Sequence, residues 1–282
     1  MAWRPPQNNT FYRCLIRTGM ILRGLFRIAI LSSGEEHLPA PDPTDGRQRV
    51  PVPGRGAVVA ITHFGYLDFA VTELVFWRCL RAHLRFLITK AAADHWLTGA
   101  AVTAAGHVEV DRADGSGAYR HAVQKLCAGE FVAVLPEAGV SRSFTVRECK
   151  TGAVRMAAEA QVPLIPVSVW GSHRLMSRGH PFSLRRSWRA PVRVHIGPPQ
   201  HYPADVDAAA ATADLRALLQ EGIDAGMADF PLRPEPGAWW MPAALGGGAV
   251  TVEEQARLDA EDARRFASRH HGRAAARGAG AE

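Results

Sequence analysis

The chain has 282 residues, 47% hydrophobic and 21% charged, with a formal net charge of +6. That size and balance exclude a disordered or fibrous protein and allow one large domain, or two small ones, around a substantial core. The surplus of positive charge favours an anionic partner: nucleic acid, a phospholipid surface or a phosphorylated substrate. Only Lys90, Lys125 and Lys150 among the 33 basic residues are lysines. Cys14, Cys79, Cys127 and Cys149 are scattered, with no CxxC pair and no histidine at zinc-ligand spacing. Neither a disulfide framework nor a metal site is therefore expected, and a reducing compartment is.

The first apolar stretch, Phe11 to Leu31, is interrupted by Arg13, Arg17, Arg23 and Arg27. It has neither the unbroken apolar run of a secretory signal nor the span of a transmembrane helix. At about 100° per residue the four arginines fall within roughly 120° of one another. Phe11, Leu15, Leu22, Leu25, Phe26 and Ala29 gather opposite, and no acid precedes Glu35. An interfacial helix needs this arrangement, with aliphatic groups in the acyl boundary and guanidinium groups on lipid phosphates. The competing reading is an ordinary amphipathic helix packed on the domain with its arginines in water. Residues 1–50 are read as this membrane-contact helix and a linker, the linker being the Pro-, Gly- and Asp-rich stretch from Pro39 to Gly56.

Short apolar runs then alternate with helical patterns. Gly56–Ile61, Arg85–Thr89, His107–Val110, Phe131–Leu135, Val162–Val169 and Val192–Ile196 read as strands. Residues 68–82, 91–104, 115–128, 148–160 and 206–228 read as helices. The alternation predicts an α/β layered domain over 51–232 with a largely parallel central sheet and its chemistry beyond the carboxyl ends of the strands. Residues 233–282 form a C-terminal extension: Trp239 and Trp240, a charged helical stretch near 251–268, then an Ala/Gly/Arg tail expected to be partly disordered.

The strand ending at Ile61 runs into Thr62-His63-Phe64-Gly65-Tyr66-Leu67-Asp68. On one continuous helix His63 and Asp68 would point about 140° apart. They meet only if a turn intervenes, which Gly65 is placed to supply, with a helix starting near Asp68. A carboxylate that fixes one imidazole nitrogen leaves the other to accept a proton, the arrangement of a general base; Asp68 as a simple helix cap is the alternative. Downstream, Gly106 opens a strand ending at Val110-Asp111-Arg112. The strand Phe131–Leu135 runs into Pro136-Glu137-Ala138-Gly139-Val140-Ser141-Arg142-Ser143. An acid, a glycine, hydroxyls and an arginine at a strand end suit a phosphate and a polyol, although this segment by itself reads more simply as a polar loop. Lys150-Thr151-Gly152 opens a helix, and Val162-Pro163-Leu164-Ile165-Pro166 begins a buried strand.

Together these segments resemble the glycerolipid acyltransferase family that includes the 1-acyl-sn-glycerol-3-phosphate acyltransferases. The family's His-x4-Asp block is matched by His63 and Asp68, and its Gly-x5-Arg block by Gly106 and Arg112. Its Pro-Glu-Gly-Thr-Arg-Ser block is matched by Pro136, Glu137, Gly139, Arg142 and Ser143 with two residues inserted, and its Val-Pro-x-x-Pro block by residues 162–166. Lys150 and Gly152 match a further Lys-x-Gly element, and Lys90 falls where many members carry a lysine. Gly65 stands where many members have serine. The resemblance covers about 56–200 and leaves the N-terminal helix and the tail outside.

The resemblance implies transfer of a fatty acyl group from acyl-CoA or acyl carrier protein, a co-substrate and not a cofactor, to the free hydroxyl of lysophosphatidic acid, with glycerol 3-phosphate or another lysophospholipid as the alternative acceptor. His63 would deprotonate the acceptor hydroxyl and Asp68 orient the imidazole, with no acyl-enzyme. Lys90, Arg112, Arg142 and Lys150 would meet phosphate. Glu137 would hold glycerol hydroxyls or position the arginines, and Gly139 and Ser143 would belong to the same phosphate- and glycerol-binding set. Backbone N–H groups near Phe64–Gly65 or Gly139 are the candidates for the oxyanion. The setting implied is the cytoplasmic face of the cell membrane, with peripheral or monotopic attachment to an anionic surface. Between Glu159 and Asp205 no acid occurs, while Arg174, Arg178, Arg185, Arg186, Arg189 and Arg193 collect beside Trp170, Phe182 and Trp188. This stretch is read as a second membrane- or CoA-facing surface, with a solvated loop as the alternative.

Rival classes lack their signatures. No helix-turn-helix, zinc-finger or RRM pattern supports nucleic-acid binding. Gly139-Val140-Ser141-Arg142-Ser143 lacks the closing glycine of a hydrolase elbow, and neither GxGxxG nor GxxxxGK[ST] is present. A non-catalytic lipid-binding protein or a thioesterase remains the alternative of another class.

Overall fold

The structure, a computed structural model, describes residues 9–40, 51–89, 104–110 and 115–264. Among the described residues seven strands form one sheet in the order β1-β7-β6-β2-β5-β3-β4. They are β1 (Ala29–Ser33), β2 (Ala57–Ile61), β3 (Leu84–Thr89), β4 (Val108–Val110), β5 (Phe131–Val134), β6 (Leu164–Trp170) and β7 (Pro191–Ile196). Five neighbouring pairs are parallel, and only β6 and β7 run antiparallel. The helices are α1 (Asn9–Leu25), α2 (Asp68–Leu80), α3 (Gly115–Cys127), α4 (Gly152–Ala160), the single turn α5 (Leu184–Ser187) and α6 (Ala208–Ala228). The α/β architecture and mostly parallel sheet expected from the sequence are what the chain adopts. The expected helix at 91–104 lies outside the described residues, apart from its last position.

Every residue of β2, β5 and β6 is buried, because parallel strands covered on both faces need near-continuous apolar sequence. On one face Val59, Ile61, Ala133, Ile165, Val167 and Val169 pack with Val71, Val75, Phe76 and Leu80 of α2. On the other, α6 lies close over β6: Ser168 Oγ donates to the Leu219 carbonyl at 2.7 Å. A Cβ on Gly222 would come within 2.5 Å of that same hydroxyl oxygen. The pairings Ala60 with Val134 and Ile61 with Val167 bring the carboxyl ends of β2, β5 and β6 to one edge.

The amphipathic stretch expected to reach Leu31 stops earlier. Arg27 takes a left-handed conformation (φ 53°), and the N–H groups of Arg27 and Ile28 return to the carbonyls of Gly24 and Arg23, a Schellman-type stop. Ala29, expected on the apolar helical face, instead begins β1 and pairs with Pro191. A β-branched apolar run beside an open sheet edge gains more from pairing than from another helical turn. The first 50 residues thus include a strand of the sheet.

Helix α1 docks through Tyr12 and Ile16, which pack with Trp77, Ala105 and Leu74. Leu15, Met20, Ile21, Leu22 and Leu25 remain exposed, as do Arg13, Arg17, Arg23 and Arg27. Phe26 meets Phe182 edge to face, and the Arg27 guanidinium lies over Trp188. One surface therefore joins the open side of α1 to exposed Phe182, Leu184 and Trp188. No helix among the described residues is long and apolar enough to cross a membrane.

A second compact unit comprises residues 141–145 together with the chain from 233 onward; its described part includes a helix over 252–264. Within it Gln255 Oε1 accepts from Ser141 Oγ and from the backbone N–H groups of Arg142 and Ser143.

Beneath α1, the Tyr12 hydroxyl accepts from the Leu84 N–H at 3.0 Å and lies against the Glu73 carboxyl. Burial pushes that carboxyl up to about 7, and its Oε1 has no hydrogen-bond partner among the described residues. The folded value exceeds the unfolded one, so the contribution to stability is complete below the unfolded value and fades as pH rises through about 7. Glu73→Gln, which resembles the protonated acid, should raise Tm at pH 8 by roughly a few degrees. Parallel thermal melts at pH 5 should show a smaller gain.

Candidate active site

Strand β2 is bonded along both edges and ends at Ile61. Thr62 continues its grip on β6, its buried Oγ1 accepting the Val169 N–H at 2.9 Å. The chain then turns: Asp68 N–H reaches back to the Gly65 carbonyl at 3.4 Å, and α2 begins at Asp68. The turn carries Asp68 under His63, so residues that would diverge on a helix lie together, with His63 Nδ1 3.4 Å from Asp68 Oδ2. The His63 side chain is 15% exposed and that of Asp68 is sealed from solvent.

Asp68 is surrounded by donors. Oδ2 accepts the N–H groups of Phe64 at 2.7 Å and Gly65 at 2.8 Å besides facing the imidazole. Oδ1 accepts the Ser172 hydroxyl. The Phe64 and Gly65 amides, one of the two candidate oxyanion sites, are therefore already engaged by Asp68. Gly139 is left as the other candidate.

Glu137 follows β5 and is buried. Its Oε1 accepts the His63 N–H at 2.6 Å and its Oε2 the Arg147 N–H at 3.0 Å. The side chain expected to hold glycerol hydroxyls or position arginines clamps two loop backbones together beside the imidazole. Burial pushes its carboxyl up to about 7 against the pull of those two N–H donors.

The Arg147 guanidinium lies over Gly139, where an added Cβ would come within 2.7 Å of Nη1. Arg142 pairs with Asp262 at 2.7 Å, and the Ser143 hydroxyl lies 2.8 Å from Thr145 Oγ1. Both belong to the second unit. Lys150 is exposed, its N–H bonded to the Pro136 carbonyl at 2.9 Å. Lys90 and Arg112 lie outside the described residues. Arg147 falls between the motif blocks, and no sequence pattern marks it. The third lysine, Lys125, is structural and pairs with Glu130 at 3.0 Å.

An imidazole backed by a buried carboxylate, at the carboxyl edge of a parallel sheet, is the equipment of general-base catalysis. A family model described as Acyltransferase matches residues 29–170, and the chain belongs to that family. Among solved structures it is similar to the crystal structure of the 1-acyl-sn-glycerophosphate (LPA) acyltransferase PlsC from Thermotoga maritima. The TM-score is 0.58 at 19% identity, covering 78% of this chain and 81% of that one, and the likeness is one of fold. A search of curated proteins found no match.

Removing the Glu137 carboxyl would leave two backbone N–H groups without their acceptor. Glu137→Ala should cost about 2 kcal/mol or more of stability in urea melts. It should also lower turnover through the displaced His63 backbone.

Proposed function

We propose that this protein transfers a fatty acyl group from acyl-CoA or acyl carrier protein to the free hydroxyl of lysophosphatidic acid, giving phosphatidic acid. The observation that carries the proposal is the His63–Asp68 couple at the open edge of the sheet, in a chain of the Acyltransferase family. PlsC, the protein of similar fold, acts on 1-acyl-sn-glycerophosphate by its description, which supports the choice of acceptor.

His63 Nε2 takes the proton of the acceptor hydroxyl while Asp68 beside Nδ1 stabilises the imidazolium. The alkoxide oxygen bonds to the thioester carbonyl carbon, and the carbonyl becomes an oxyanion for which the Gly139 N–H is the candidate donor. The tetrahedral intermediate collapses with cleavage of the C–S bond, and the leaving thiolate takes the proton back from His63. No acyl-enzyme forms. Lys90, Arg112, Arg142 and Lys150 are the proposed phosphate ligands, and for Arg142 this requires exchange of its Asp262 partner. Arginine suits this role because its planar donors match phosphate oxygens.

The reaction takes place at the cytoplasmic face of the cell membrane, with the protein held peripherally or monotopically. The exposed apolar face of α1, the exposed Phe182, Leu184 and Trp188, and the surrounding arginines support this placement. Apolar groups inserting between cations that meet anionic headgroups would anchor such a surface.

Purified protein with labelled oleoyl-CoA and a panel of lysophosphatidic acid, glycerol 3-phosphate and other lysophospholipids tests the activity. Lysophosphatidic acid should give the highest kcat/KM, and release of free fatty acid alone would point to a thioesterase. Folded His63→Ala and Asp68→Ala variants should each lose about 10²–10⁴-fold in rate; an undiminished rate in either removes that residue from the mechanism. Arg185→Glu with Arg186→Glu should weaken sedimentation with anionic vesicles most at low salt, and unchanged binding would remove this surface from the membrane contact.

A further inference from the structure

We propose that Ser172 is a positioning residue for this reaction, its hydroxyl setting the orientation of the Asp68 carboxylate that faces His63. The proposal rests on the acyl-transfer reading of that couple and adds a residue beyond position 170, where the family match ends.

Ser172 and Asp68 are both completely buried, and the Ser172 hydroxyl donates to Asp68 Oδ1. The three nitrogens around Asp68, those of Phe64, Gly65 and His63, all address the other oxygen, Oδ2. Donors at one oxygen alone would let the carboxylate pivot about that point. A donor on Oδ1 fixes the plane of the group and keeps Oδ2 turned to the imidazole. An oxygen buried this completely also needs a partner on energetic grounds.

The turn that delivers Ser172 is closely fitted to the His63 loop. It leaves β6 through Gly171, whose φ of 93° is in the left-handed region, and forms a single 3-10 turn over Ser172–Arg174. Thr62 holds Val169 just before it, and the Tyr66 N–H donates to the Met176 carbonyl at 3.0 Å just after it. Between these ties the two backbones touch at Gly65. A Cβ there would stand 2.8 Å from His173 N and 2.9 Å from Ser172 C and His173 Cα. Backbone cannot yield as the tip of a side chain can, so a residue larger than glycine at 65 would push the turn, and the Ser172 hydroxyl, away from Asp68. Glycine at 65 and serine at 172 therefore act as a pair. The loop gives up its side chain so that a hydroxyl from the turn after β6 can reach the carboxylate.

The test is steady-state acyl transfer to lysophosphatidic acid from labelled oleoyl-CoA, using the full chain and variants whose folding is checked by thermal melts. Ser172→Ala should lower kcat about tenfold with both KM values within about twofold. Ser172→Thr, which keeps the hydroxyl, should recover most of the loss. Ser172→Cys, a weaker donor of similar size, should fall between and serves if the alanine variant does not fold. In an Asp68→Asn background Ser172→Ala should cost little more, because its effect runs through the carboxylate. An unchanged kcat in Ser172→Ala beside an impaired Asp68→Asn overturns the proposal, as does full additivity of the two losses. A wild-type rate in Asp68→Asn would overturn the acyl-transfer reading of the couple itself.

Discussion

A carboxylate shut away from water has to be met by protein donors on every side, and the loops at the carboxyl edge of this sheet are arranged around that requirement at Asp68. Two backbone amides, an imidazole and a serine hydroxyl converge on it. The tight turn after β2, the bare glycine within that turn and the close approach of the chain leaving β6 are each needed to deliver one of those donors. His63 gains its orientation from the same arrangement while keeping a partly exposed ring.

The sheet makes the convergence possible. β2 lies between β5 and β6, all three parallel and in a register that ends them at the same edge. The segments after them come together with no long excursion of the chain. From β5 comes Glu137, which binds the backbone of His63 and not its ring. From β6 comes Ser172. The His63 backbone is thus held by Glu137 from the segment after β5, and its ring faces Asp68, which Ser172 from the turn after β6 holds in turn.

The N-terminal helix combines two kinds of contact. A narrow face built on Tyr12 and Ile16 packs onto α2, while a broader apolar face stays open among arginines. A helix that served only to cover the core would turn its leucines inward. Here the leucines face outward beside Phe182, Leu184 and Trp188, so the fold concentrates apolar and cationic groups on one surface.

Sequence alone determined the layered α/β class and the central strands, and it offered His63 and Asp68 as a pair provided that a turn intervenes, because these depend on local pattern: short apolar runs, helical period and a glycine between two polar residues. It did not reveal β1, since Ile28 to Leu31 suits a helix or a strand equally and only the open edge of β7 decides between them. Nor could it show that Glu137 grips a backbone, that the Phe64 and Gly65 amides are already engaged, or that Arg142 pairs with Asp262. Those partners lie 74 and 120 positions away for Glu137 and Arg142. Ser172 is 104 residues from Asp68 and sits in no motif. A side chain's chemistry is written in its own identity, but which buried group it must satisfy is settled only when distant strands are laid side by side.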